Sequence, residues 1–314
     1  MFKKGFMGKF VIYLLATIFV CYGLGASIFF SANKGGFSLN NNGSSSGKNS
    51  HSFTIDQEKQ ESISSIKEIS IRNSSSRINV ISEKRSDVKV TLTGKISSSG
   101  STTEPTLITS IEDGTLNITV KQQNLYIGFV NMDLKLDIYV PSDYKENLKI
   151  DSSSGDVTID NFTLNNLNCK LSSGNLKFSA LTVNNFDYIC SSGNLNAGSL
   201  NSKYSNLKST SGNIDIGNFK GDFKSNSSSG NVKVAYSEFN NAVDIHVSSG
   251  RVDLKLPETA EFNLNAKASS GSVTCKFPIT ITDKQKDNYL QGTVKSDKNK
   301  VVISTSSGNI NVLK

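Results

Sequence analysis

A short serine-glycine motif recurs along most of this chain and constrains its fold more than any other feature. It first reads Ser152-Ser153-Ser154-Gly155-Asp156-Val157 and next Ser172-Ser173-Gly174-Asn175-Leu176. Ser191-Ser192-Gly193-Asn194-Leu195, Thr210-Ser211-Gly212-Asn213-Ile214 and Ser228-Ser229-Gly230-Asn231-Val232 follow. Ser248-Ser249-Gly250-Arg251-Val252, Ser269-Ser270-Gly271-Ser272-Val273 and Ser306-Ser307-Gly308-Asn309-Ile310 complete the set. The glycines step by 19, 19, 19, 18, 20, 21 and 37 residues. A fixed short period of this kind is the signature of a solenoid.

The residues around each glycine identify the solenoid type. Seven positions before it stand Leu148, Leu167, Phe186, Phe223, Val243, Leu264 and Val301, and five before it Ile150, Cys169, Tyr188, Leu207, Ile245, Ala266 and Ile303. Two positions after it stand Val157, Leu176, Leu195, Ile214, Val232, Val252, Val273 and Ile310. Apolar and polar residues alternate on both sides, which is strand periodicity, and the phase slips at the glycine, where the chain must turn a corner. The period is too short for two helices. The expected fold is therefore all-β, a single-chain parallel β-solenoid (β-helix) with coils of ~19 residues, preceded by one transmembrane helix.

Counting in twos places the last serine of each motif, Ser154 through Ser307, inside the corner, where its hydroxyl would form a ladder along the stack. The asparagine after the glycine is expected to form an amide ladder outside, as in stacked cross-β structures. Both rows are read as packing devices in preference to a ligand strip, because the same residues recur at every corner.

In chain order, residues 1–9 carry Lys3, Lys4 and Lys9 and read as a cytoplasmic tail. Residues 10–30 form an uncharged run, Phe10 to Phe30, matching the ~20 residues needed to cross a bilayer. The lysines precede that run, so the N-terminus is expected in the cytoplasm and the β domain outside the cell, held as a single-pass protein of the cell membrane. A cleaved signal peptide is the competing reading, with Leu24-Gly25-Ala26 as a passable site. Residues 31–51, rich in Ser, Gly and Asn, read as a flexible tether. Residues 52–141 read as irregular N-terminal β coils that cap the stack, with a short helix near Asp56–Ser62. Within them Asn73-Ser74-Ser75-Ser76-Arg77-Ile78 resembles a degenerate motif with Arg77 in place of glycine. Asn124–Val130 is apolar for a loop and reads as cap packing or a contact patch. Residues 142–314 read as regular repeats with a charged excursion at about 283–300, a hairpin or loop leaving the stack, and one coil in the long last step is expected to lack its corner.

Composition narrows the chemistry. Lys plus Arg number 34 against 27 for Asp plus Glu, but no basic cluster with interleaved aromatics suggests nucleic acid. The only histidines are His51, in the tether, and His246, outward on a coil, so a histidine triad or zinc cluster is not expected. Outward Asp215, Asp222, Asp244 and Asp253 are the candidates for carboxylate chemistry on a polysaccharide, against the simpler reading that they keep the coil faces soluble. No catalytic, cofactor-binding or metal site is expected. Cys169, Cys190 and Cys275 occupy inward positions and are expected as reduced, buried thiols, while Cys21 lies in the anchor.

The repeated Ser-Ser-Gly-Asn-hydrophobic motif, Ile138-Tyr139-Val140-Pro141, Leu254-Lys255-Leu256-Pro257 and the segment Ile303–Val312 together resemble a bacterial adhesin-like domain family of unknown function. That family includes LiaG-like membrane-anchored proteins, and the resemblance covers roughly residues 66–314. It implies a β-repeat ectodomain at the cell envelope and supplies no catalytic residues. The function expected is a non-enzymatic, membrane-anchored cell-surface protein acting in adhesion or envelope contact, with cell-wall polymers or a membrane protein as partner. A regulatory accessory of an envelope-stress response is the alternative, and a polysaccharide-active β-helix enzyme the third reading.

Overall fold

The computed structural model describes residues 51–100, 102–122, 130–282 and 286–314. The expected anchor, nearly all of the expected tether and most of the Asn124–Val130 segment lie outside the described residues. Among the described residues every regular element is a strand, and no helix is long and apolar enough to cross a membrane.

One coil shows how the alternation becomes structure. In the strand Leu176–Ser192 the buried residues are Leu176, Phe178, Leu181, Val183, Phe186, Tyr188 and Cys190. The alternation breaks at Ser179-Ala180 and at Asn184-Asn185, where two successive residues face outward. Each break is a corner, so a coil consists of three straight runs closed by the serine-glycine turn. Successive coils pair in parallel, with Leu176 opposite Leu195, Leu181 opposite Leu200 and Phe186 opposite Ser205. The inward rows thereby fuse into a continuous core. Edge-to-face rings carry it across coils, running Phe223–Phe219–Tyr236–Phe239–Phe262–Phe277 with centroids 5.0–6.2 Å apart.

The corner glycines are indispensable for a geometric reason. Gly212 has φ +132, and a Cβ built there would lie 1.8 Å from the carbonyl oxygen of Gly193 on the coil below. Positive φ and the close approach of two backbones each exclude a side chain. The expected asparagine ladder is present outside this corner. Asn194 and Asn213 each donate their backbone N–H to the side-chain oxygen one coil below, at 3.0 and 2.9 Å, and their amides repeat the link at 3.0 and 3.3 Å. The row begins on Asp156 and continues to Arg251, whose N–H reaches Asn231 Oδ1 at 2.9 Å.

The structure corrects several expectations. The last serine of each motif is exposed, as is the one before it; the inward position is three before the glycine, taken by Ser152, Leu171, Cys190 and Ser209 among others. The phase slip thus spans the whole turn, and no inner hydroxyl ladder forms. Ser76, not Arg77, holds the glycine position of the early motif: its carbonyl lies under Gly155, and Ile78 pairs with Val157. Asn73 closes that corner instead, donating Nδ2–H to Ser76 O at 2.7 Å. Asp56–Ser62 is no helix but part of the strand His51–Ser62, paired antiparallel with Asp87–Ser98. Its partner lies too far along the chain for local periodicity to show it.

Coil order also departs from sequence order. Lys300–Ser307 inserts between Val243–Ser249 and Phe262–Ser270, pairing in parallel with both. Ile310–Leu313 likewise lies between Val252–Lys255 and Val273–Cys275. The segment before this returning coil forms no cornerless coil. Its strand Tyr289–Val294 pairs antiparallel with Thr280–Ile281, as a hairpin would, but also with Phe262–Lys267, so it stays on the stack where a hairpin or loop leaving it was expected. At the other end Glu68–Asn73 and Arg77–Glu83 stack directly on Asn147–Ser152 and Val157–Ile159. Thr115–Lys121 and Val130–Pro141 add one more parallel coil beyond them, out of sequence order. The antiparallel strands Thr106–Glu112 and Asp87–Ser98 then cover that coil in place of further ones.

Candidate functional site, the hydroxyl-lined flank

The run that leads into each glycine corner presents three outward rows on one flank. Six positions before the glycine stand Lys149, Asn168, Asp187, Asn206, Lys224 and Asp244; four before it stand Asp151, Lys170, Ile189, Lys208, Asn226 and His246. Two before it stands the first hydroxyl of every motif, and the second adjoins it, so that a double stripe of serine and threonine runs along the stack. Arg72 and Ser74 continue the rows toward the N-terminal end, and Ser304, Lys267, Ser306 and Ser269 continue them past His246 and Ser248.

Two shallow grooves open on this flank. One, of about 400 Å³, lies among Ser228, Ser248, Ser306, Ser269, His246 and Lys267. The other, of about 470 Å³, lies among Arg72, Asp151, Lys170, Ser74, Ser153 and Ser172. The charges on the flank are unequal in how they are held. Asp187 accepts from Asn206 Nδ2 at 3.0 Å, Asp244 meets His246 Nε2 at 2.9 Å, and Asp151 faces Lys149 Nζ at 3.9 Å. Among the described residues Arg72, Lys170, Lys208, Lys224 and Lys267 form no ion pair. The flank therefore offers unpaired cations beside hydroxyls, with its carboxylates already engaged.

His246 was expected to have no partners for a triad, yet the coil order supplies them. Ser304 Oγ and His246 Nδ1 share a hydrogen bond of 2.6 Å, and the other ring nitrogen meets Asp244. Sequence reading missed this because Ser304 reaches His246 only through the inserted coil. The histidine and aspartate side chains are 46% and 40% exposed, and the backbone N–H groups of the three strands are committed to parallel ladders. Acyl transfer needs free donors aimed at a developing oxyanion, and a flat ladder supplies none. The trio reads as a cross-strand polar contact.

Two of the four candidate carboxylates, Asp215 and Asp253, line one shallow groove of about 440 Å³ with Lys233 and Arg251. Asp215 pairs with Lys233 at 3.3 Å, Asp253 accepts from Asn311 Nδ2 at 2.7 Å, and Asp222 accepts the Ala242 N–H at 2.9 Å, while Asp244 holds His246. Each is tied to a neighbour on the stack, and Lys233 stands in register between Asp215 and Asp253, so that groove holds an ion-pair row where glycoside hydrolysis requires a gap open to the substrate. Among the described residues no group of three or more His, Cys, Asp and Glu is gathered to hold a metal ion. Cys169 and Cys190 are buried and unbridged, and burial pushes the Cys169 thiol well up from its ordinary range. Cys275, expected buried, is half-buried because it lies on the coil at the C-terminal edge.

Among curated proteins none matches the chain. Solved structures similar to it include a candidate adhesin from Bacteroides fragilis NCTC 9343, at 14% identity and TM-score 0.47, covering 83% of this chain and 97% of that one. A candidate adhesin from Parabacteroides distasonis ATCC 8503 is similar at 10% identity and TM-score 0.36, with 82% and 97% covered. A candidate lipid binding protein from the same strain is similar at 13% identity and TM-score 0.31, with 83% and 97% covered. The family described as Toastrack DUF4097 matches residues 66–313, nearly the whole coil stack, and the chain belongs to that family.

Proposed function

We propose that this chain is a non-enzymatic binding protein of the cell envelope, whose hydroxyl-lined flank lies along an extended anionic polymer of the wall. The observation that supports this most is the flank itself, where unpaired Arg72, Lys170, Lys208, Lys224 and Lys267 run beside an exposed double row of hydroxyls. A repeating surface suits a repeating ligand, because each coil presents the same pair of hydroxyls one rung, ~4.8 Å, further on. The cations attract the polymer and the hydroxyls fix it by hydrogen bonds once it is in contact. In this reading Phe10–Phe30 anchors the chain in the cell membrane and the Ser/Gly/Asn tether lets the coils reach the wall.

The test is retention of the full chain, purified in mild detergent, on isolated cell wall and on solubilised membranes over a range of salt. Retention on wall polymer that weakens with salt but persists supports the proposal. Retention no stronger than that of an unrelated protein of equal charge contradicts it. Recovery of a single membrane protein with no wall retention moves the regulatory accessory into its place.

A further inference from the structure

At a different corner of the same coils, the structure assigns a sugar-binding subsite to Tyr204, taking one pyranose ring of a glycan chain. This subsite rests on observations separate from the charged flank and stands or falls independently of it.

Tyr204 is the most exposed of the large hydrophobic side chains described, at 61%. It sits where an amide row should continue. Asn166 and Asn185 form one ladder, with Nδ2 to Oδ1 links of 2.7 Å from Asn166 to Asn147 and from Asn185 to Asn166. Asn184 bonds Asn165 beside it at 2.9 Å. Both ladders stop on the same rung, because the next coil puts Lys203 and Tyr204 in the two asparagine positions. A stack that needed only a corner would have kept asparagine there, as the preceding coils do.

The backbone at this rung is built to present the ring. The pairing slips by one residue between Asn201 and Tyr204, so the strand bulges over its shorter neighbour, and bulges re-aim side chains. Three buried contacts hold the bulge in place. Ser202 Oγ and Ser205 Oγ lie 2.6 Å apart inside the coil, with both residues buried. Gly221, at φ +124, lets the next coil pass directly over Ser202, whose carbonyl oxygen is 1.7 Å from the position a Cβ would take. The Tyr236 hydroxyl donates to Gly221 O at 3.1 Å.

Around the ring lies a groove of about 480 Å³ whose polar lining includes Asn184, Asn201, Lys220, Asp222 and Asn241. A pyranose has one C–H face that stacks on an aromatic ring and a rim of hydroxyls that both donate and accept. Asparagine amides answer with both roles, and a carboxylate accepts several hydrogen bonds at once. Asp222 Oδ1 already takes the Ala242 N–H at 2.9 Å, which fixes the carboxylate beside the ring. Lys203 and Lys220 also line the groove, Lys220 already paired with Glu238 at 3.1 Å. A flat aromatic ringed by donors and acceptors in this way matches the hydroxyl rim of a sugar better than an apolar chain.

The experiment is an immobilised panel of tetrasaccharides (β-glucan, chitin, mannan and galactan fragments) exposed to the full chain and to two variants. At least one oligosaccharide is expected to be retained by the wild type. Tyr204→Ala is expected to lose roughly tenfold or more in affinity for it, and Tyr204→Phe, which keeps the ring, to stay within roughly threefold. Circular dichroism and melting of both variants should match the wild type, since the side chain is exposed. Retention unchanged by Tyr204→Ala, or no retention of any fragment, overturns the assignment.

Discussion

Gly308 lies directly on Gly250: the carbonyl oxygen of Gly250 stands 2.0 Å from where a Cβ on Gly308 would be. The same relation, at 1.8–2.3 Å, links the other corner glycines, with Gly155 set over Ser76 at the start of the row. Each glycine is thus needed twice, once for its own positive φ and once because its neighbour's backbone occupies the side-chain position. Gly212→Ala is expected to destabilise the stack by roughly 3 kcal/mol or more, whereas Ser211→Ala, on the exposed stripe, should stay within about 0.5 kcal/mol. Urea unfolding of both variants checks the contrast.

The inserted coil makes a prediction that sequence order would reverse. Ser249 pairs with Ser307, and Ser307 in turn with Ser270. Neighbouring parallel strands put such partners ~4.8 Å apart, within the ~4.4–6.8 Å that a disulfide spans, and the next strand lies beyond it. Ser249→Cys with Ser307→Cys should therefore cross-link on mild oxidation, and Ser249→Cys with Ser270→Cys should not. Peptide mapping by mass spectrometry distinguishes the two.

The thiols should differ in reactivity by burial. Cys169 and Cys190 are buried and Cys275 is half-buried, and desolvation raises the pKa of both Cys169 and Cys275. Native protein treated with a maleimide near neutral pH should carry label at Cys275, with Cys169 and Cys190 modified only after denaturation. Fast modification of Cys190 in the native state would mean that the coils open far more readily than their packing implies.

Alkali should weaken the fold. Burial pushes the Tyr236 and Tyr188 phenols up, with the charge of Asp222 adding to the first and Cys190 to the second. Both must stay neutral in the folded protein, while in the unfolded chain they ionise near the ordinary value of ~10. Their contribution is therefore intact below that pH and is lost as pH rises above it, at up to about 1.4 kcal/mol per group per pH unit. Melting temperature followed across that range, with tyrosinate absorbance as the second signal, should show ionisation of these two only as the chain unfolds.

The repeat made much of this fold legible in the sequence. Positions such as Leu176, Phe186 and Ile214 were marked as core by alternation alone, and the asparagine ladder followed from Asn175, Asn194 and Asn213 standing one period apart. Coil order was not legible, because interchangeable repeats let Val301–Val312 stack on any coil with equal local logic. The serines were misplaced because alternation was carried one step past Leu171 and Cys190, into a turn where it no longer applies. Of the surface features, Tyr204 had a signal that went unused: the single 18-residue step from Gly212 to Gly230 marks the missing residue that makes the bulge. The Ser304–His246 contact had none, since it depends on the inserted coil.

The most direct test of the proposed binding flank is charge reversal on the surface. Lys170→Glu, Lys208→Glu and Lys267→Glu together change three exposed side chains that form no ion pair, so the fold should survive, as its melting temperature can verify. Retention of wild-type and variant full chains on isolated cell wall, measured side by side at physiological salt, then reads the flank alone. The account predicts that the variant loses most of its retention at unchanged stability. Equal retention of the two would place the contact elsewhere and contradict it.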